Sequence, residues 1–231
     1  MKKLFKFYID EKNEYNDLFG MITGDTDITN SVNRAAQYAI PLNIAQDKTG
    51  TLLKQFLHDK YKTYSQELKQ ALCFHKSYIS KNNKHIYQQL KLAFNHDIPQ
   101  YSVRLNMQIA GMSDWYGTDI SIYAFDYVSK WKENNMLLSL IWETALSQTF
   151  IDIRKKYTKK QICDKKVWAI SELTAIAIWK KYFSEYDWNS VNVGYPELIK
   201  HQTKISKLYE TGNGFDTYLD NAVKLFKQIK L

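Results

Sequence analysis

The chain has 231 residues, of which 45% are hydrophobic and 15% aromatic, and it carries a formal net charge of +8. Such a composition excludes a disordered chain and a disulfide scaffold, and 8 Gly with 3 Pro leave room for long uninterrupted elements. One domain over 1–231 is the simplest organisation, with a strand and helices in 1–98 and a sheet edge, two apolar helices and a C-terminal helix in 99–231.

Residues 3–9 suit a short strand. Met1 to Phe7 imitates the start of a signal peptide, but Lys6, Asp10, Glu11 and Lys12 end the apolar stretch early. Residues 28–46 read as mixed structure ending near Pro41. From Lys48 to Phe94 apolar residues recur at helical spacing (Leu52, Leu53, Phe56, Leu57, Tyr61; Leu68, Ala71, Leu72; Ile86, Leu90, Ala93, Phe94), which predicts two or three helices broken near Ser80–Lys84. After Pro99 the period changes to two: Tyr101, Val103, Leu105 and Met107 alternate with polar residues, as in a half-buried strand. Gly111 to Gly117 reads as a turn-rich loop and 120–123 as another strand. Helices follow at about 127–157, 167–186 and 215–230, and Pro196 suits the first position of one more. The fold class is α+β, mainly helical with a small central mixed sheet.

Two helices stand out. Asn134 to Ile151 carries one charged residue, Glu143, and Val167 to Trp179 carries one, Glu172. A helix that is apolar nearly all round is buried. A carboxylate in such a helix raises its pKa or finds a partner, and groups of this kind are candidates for acid–base work. The plainer readings are that each Glu bonds a buried aromatic, lysine or backbone group and fixes packing, or lies on the one wet stripe of its helix.

The order of these parts resembles the gluzincin-type zinc metallopeptidases, above all their small, mostly uncharacterised bacterial relatives. The resemblance runs from Tyr101 to the C-terminus. It is carried by the Gly-Met-Ser-Asp-Trp-Tyr-Gly loop at 111–117, by Ile170-Ser171-Glu172-Leu173, and by Gly194-Tyr195-Pro196 leading to His201-Gln202. In that family the first helix carries His-Glu-x-x-His, whose two imidazoles at i and i+4 grip zinc while the Glu activates water, and a Glu on the second helix is the third ligand. The resemblance implies that Glu143 holds the general-base position and Glu172 the third-ligand position. It also implies an oxyanion-stabilising role for Tyr195 or His201. The two ligand positions, however, hold Trp142 and Leu146, which bind no metal and pack as an apolar pair at i and i+4. The expectation is therefore a metallopeptidase-like fold without zinc or other cofactor. Such a protein is non-catalytic and binds a peptide or protein along the old cleft, with Trp142, Leu146, Trp115 and Tyr116 lining it and a strand edge at 101–108 open to an extended segment. A hydrolase using Glu143 and Glu172 with no metal or a non-standard one is the second reading.

The third is a lysine-rich binder of anionic surfaces through Arg154, Lys155, Lys156, Lys159 and Lys160, a run whose plain meaning is a solvated helix end. Arg34, Arg104 and Arg154 are the only arginines, and this scarcity argues against sequence-specific nucleic-acid recognition. No segment has the apolar length of a membrane span. Cys73 and Cys163 lie far apart and form no CxxC pair, so the expected location is the reducing cytoplasm.

Overall fold

The computed structural model describes residues 3–23, 39–107, 114–125, 133–186 and 195–229. Strand β1 (Phe5–Tyr8) leads into helices α1 (Glu11–Thr23), α2 (Leu42–Ala45), α3 (Thr51–Thr63) and α4 (Ser65–Phe94). Strands β2 (Tyr101–Asn106), β3 (Asp114–Tyr116) and β4 (Asp119–Tyr123) follow, and the chain ends in α5 (Glu133–Lys156), α6 (Asp164–Tyr182), α7 (Pro196–Thr211) and α8 (Phe215–Lys227). The architecture is the mainly helical α+β class with a small mixed sheet. The proposed loop at 111–117 lies outside the described residues except for its last part, which is β3 and the turn after it.

The sheet runs β1-β2-β4-β3, with β1, β2 and β4 parallel and β3 antiparallel to β4. Period-2 patterning sets its faces. Phe5 and Phe7 pair with Tyr101 and Val103, and Val103 and Leu105 pair with Ile120 and Ile122, so one face enters the core. The other face presents Lys6, Tyr8, Ser102, Arg104 and Ser121. Strand β2 lies between β1 and β4, so the stretch expected to be an open edge is the interior of the sheet, and the edges are β1 and β3.

Helix α4 is continuous over 30 residues. The expected break at Ser80–Lys84 is absent because the polar run there faces solvent on one side only, while Ile79, Asn83 and Ile86 keep the buried stripe in phase. Asn83 is buried within that stripe because its Oδ1 accepts the Leu4 N–H at 2.8 Å and ties α4 to the start of β1. His75 lies on the same stripe. It is fully buried, stacks on Phe7 at 5.8 Å and has its Nε2 2.9 Å from the Ala124 carbonyl. Burial lowers its pKa to about 4, so the ring is neutral at ordinary pH.

Helix α1 begins where the Asp10 carboxylate accepts the Asn13 N–H, in the manner of an N-cap. Its Glu14 is fully buried and accepts from the Tyr61 hydroxyl on α3 and, at 2.8 Å, from the Met107 N–H after β2. One carboxylate thereby pins three elements around the open end of the sheet.

Helices α5 and α6 pack most extensively of all pairs. α6 is central, touching α4, α5, α7 and α8, which explains why it is apolar all round. Its small polar residues are satisfied within the helix: Ser171 and Thr174 donate to the carbonyls of Val167 at 3.0 Å and Ile170 at 2.6 Å.

Candidate functional site

The site is built where α5 crosses α6. Glu143 on α5 and Glu172 on α6 are each buried, at 5% exposure. The indole N–H groups of Trp142, from α5, and of Trp168, one turn earlier on α6, are close enough to the Glu172 carboxylate to act on it as donors that favour its ionised form. Burial dominates over these two donors and pushes the Glu172 pKa up to about 7. No cation figures among the groups acting on it.

Tyr195 joins the group from the other side. It precedes Pro196 at the start of α7, and its ring meets Trp168 edge to face at 4.6 Å. Its phenol pKa is raised by burial first and then by the charges of Glu172, Glu143 and Glu197. Tyr195 therefore lies within electrostatic reach of both core carboxylates. Trp142, Glu172 and Tyr195, singled out in the sequence, come together here with Trp168, while Glu143 reaches the group only through its charge on Tyr195. Trp168 was missed, yet its signal was present: it stands four residues before Glu172 on one helical face.

Leu146 stands one turn after Trp142 on α5, and the other candidates separate from this group. Leu146 is buried at 3% exposure in the core below Trp142 on α5. Trp142 packs against the core beside Leu146, and its indole N–H also acts on Glu172. An indole carries a polar handle as well as an apolar body. Trp115 on β3 packs on Phe150 of α5 at 5.1 Å, and Tyr116 is 87% exposed. His201 faces α8, with its ring 5.6 Å from Phe226. Its pKa is lowered by burial and by Lys200 and Lys204, and neither carboxylate acts on it. Of the two residues considered for the oxyanion position, Tyr195 alone is in reach of the site.

The basic run at the C-terminal end of α5 and just beyond it is largely neutralised. Arg154 and Lys159 pair with Asp164 at 2.5 and 2.7 Å, Lys155 with Asp152 at 2.9 Å, and Lys156 with Asp220 at 3.0 Å and Asp216 at 3.2 Å. Arg154 also donates to the Ile162 carbonyl at 2.9 Å, so it ties the α5–α6 connection together. Lys160 alone of the five makes no ion pair among the described residues. His96 has its Nε2 2.8 Å from Asp152, whose carboxylate also accepts from the Gln148 amide at 3.0 Å through each oxygen.

The chemistry of the α5–α6 site follows from its donor set. Glu172, held at about 7, can take up or release a proton near neutral pH, while the Tyr195 phenol, raised by burial, keeps its own. No zinc site of the metallopeptidase kind forms around them, because Trp142 and Leu146 supply no imidazole. Among the described residues no group of three or more His, Cys, Asp or Glu is placed to hold a metal ion. No helix among them is long and apolar enough to cross a membrane. Comparison of the chain with family models, with curated proteins and with solved structures finds no match in any of the three.

Proposed function

We propose that the chain is a non-catalytic protein on a zinc-metallopeptidase-like scaffold, a module that binds a peptide or protein segment beside α5 and α6. The observation that carries this reading is the hydrogen bond from Trp142 to Glu172. The residue at the first zinc-ligand position is closed onto the residue at the third, so the two positions satisfy each other instead of a metal. The scaffold keeps the carboxylate pair while the ligand chemistry is gone. Exposed free thiols at Cys73 and Cys163 favour a reducing, cytoplasmic setting for it.

The test is metal analysis and peptide hydrolysis on untagged protein. The expected result is substoichiometric metal and no hydrolysis sensitive to EDTA. One zinc per chain, removed together with a hydrolytic activity, overturns the reading.

One observation favours a second reading, a metal-independent hydrolase. Glu172 is held at about 7, the range of a general acid or base, and Tyr195 stands in reach of both carboxylates. In that case hydrolysis insensitive to EDTA follows the ionisation of Glu172 and disappears in Glu172→Gln.

A further inference from the structure

One of the two edges of the sheet among the described residues is β1, far from Glu172 in the sequence and carried by different elements. Beside it lies a groove of about 590 Å³ lined by Lys3, Phe5, Lys6, Phe7, Lys76 and Ile79, with Ser80, Asn83 and Gln100 at its border. The groove has two walls. One is β1 itself. The other is a stripe of α4, where Lys76, Ile79, Ser80 and Asn83 follow the i, i+3, i+4, i+7 spacing of one helical face.

The backbone of β1 is half used. The Tyr101 N–H bonds the Leu4 carbonyl at 2.7 Å, and the parallel register then turns Lys6 and Tyr8 toward β2. The N–H and C=O groups of Phe5 and Phe7 face the opposite way, out of the sheet, and among the described residues no backbone group bonds them. The chain just ahead of the strand is closed off differently: Asn83 takes the Leu4 N–H and the Gln100 amide donates to the Lys3 carbonyl, both at 2.8 Å. The open stretch therefore begins at Phe5.

The charge is one-sided. Lys3, Lys6 and Lys76 are exposed, no acidic residue lines the groove, and none of the three lysines forms an ion pair among the described residues. This contrasts with the run at the C-terminal end of α5, where four cations meet carboxylates. Lysine on an edge strand is a common device against edge-to-edge association, but that device does not call for Lys76, which comes from α4. The same positive charge that repels a second copy of this edge selects an acidic strand.

We propose that the β1 edge is a docking site for an extended acidic peptide segment, which adds to the sheet as a fifth strand between β1 and the Lys76–Asn83 stripe of α4. The segment's backbone bonds the outward groups of Phe5 and Phe7. Its alternate side chains divide between the apolar floor of Phe5, Phe7 and Ile79 and the ammonium groups of Lys3, Lys6 and Lys76. A nucleic acid meets the lysines but leaves the strand's outward amides without partners, which is why a peptide is the better occupant. The site is independent of the α5–α6 reading, and its failure leaves that reading untouched.

The test is a titration of ¹⁵N-labelled full chain with the peptide acetyl-Val-Glu-Val-Glu-Val-Glu-amide, followed through the amide resonances. Saturable shifts at Phe5, Lys6 and Phe7 are expected below about 1 mM peptide. Binding should weaken at least about tenfold in the triple variant Lys3→Glu, Lys6→Glu, Lys76→Glu and with a peptide N-methylated at alternate residues. The three lysines are exposed, so the variant should keep its melting temperature, which is checked alongside. Three results overturn the proposal: no saturable shift at these residues, equal binding of the N-methylated peptide, or tighter binding of an oligo-dT strand at the same residues.

Discussion

Glu172→Gln should make the protein more stable at pH 8, by about 3 kcal/mol, and leave it nearly unchanged at pH 4. The carboxyl is held at about 7 in the fold against an ordinary 4.5. Its folded pKa is raised, so its contribution is fully present below pH 4.5 and is lost as pH rises through 7. At pH 8 the wild-type fold confines a charge that two indole donors only partly satisfy. Glutamine removes the charge, and its amide oxygen can still accept from Trp142 and Trp168. His75 acts in the opposite sense over almost the same window. Its folded pKa is lowered from 6.5 to about 4, so unfolded chains take up a proton first as pH falls, and about 3 kcal/mol is lost between pH 6.5 and 4. In wild type the two contributions oppose each other. In Glu172→Gln the His75 contribution stands alone, and stability measured by denaturant melts should climb from pH 4 to pH 7 more steeply than in wild type. A variant no more stable than wild type at pH 8 would show that Glu172 is solvated or paired with a cation.

Trp142→His with Leu146→His should create zinc affinity. The two imidazoles stand at i and i+4 on α5, and residue 142 already touches Glu172, the third member of the set. The substitution is costly without metal: Trp142 is half-buried, so its loss costs less than the ~3–5 kcal/mol of a fully buried Trp, and Leu146 is buried in the core. Zinc that binds the folded state restores part of that loss, so melting temperature should rise with added zinc and fall again with EDTA. Circular dichroism establishes first that the variant folds. The single Trp142→His variant, with a milder cost and two ligands, should show a smaller zinc-dependent rise. A folded double variant with no response to zinc places the ligand register elsewhere and removes the metallopeptidase argument.

Much of this arrangement was legible in the chain because burial writes itself plainly. Helices α5 and α6 declared themselves as core by having one carboxylate each, and Tyr101 to Met107 declared a strand by strict alternation. Other parts were hidden for identifiable reasons. Helix α1 has Tyr15, Leu18, Phe19 and Ile22 at helical spacing, but its many polar residues masked a four-residue stripe. The break assigned inside α4 rested on a polar run that merely faces solvent. The place of β2 in the interior of the sheet depends on β1, almost a hundred residues away, and no local pattern encodes that pairing. In the site, side-chain class misled where atom-level chemistry decided. Trp142 counted as an apolar filler, yet its N–H also acts on Glu172. His201 counted as an oxyanion candidate, yet its ring packs on Phe226. The basic run counted as one patch, while its partners Asp152, Asp164, Asp216 and Asp220 come partly from α8 and emerge only in three dimensions.

The central claim is that α5 and α6 bring Trp142 and Glu172 into one hydrogen bond within a buried carboxylate site. ¹³C NMR titration of the Glu172 side-chain carboxyl, assigned by its disappearance in Glu172→Gln, tests this most directly. A midpoint near 7 is predicted, moving upward in Trp142→Phe, which removes the indole donor while keeping an aromatic ring. A midpoint near 4.5 that does not move in Trp142→Phe would contradict it.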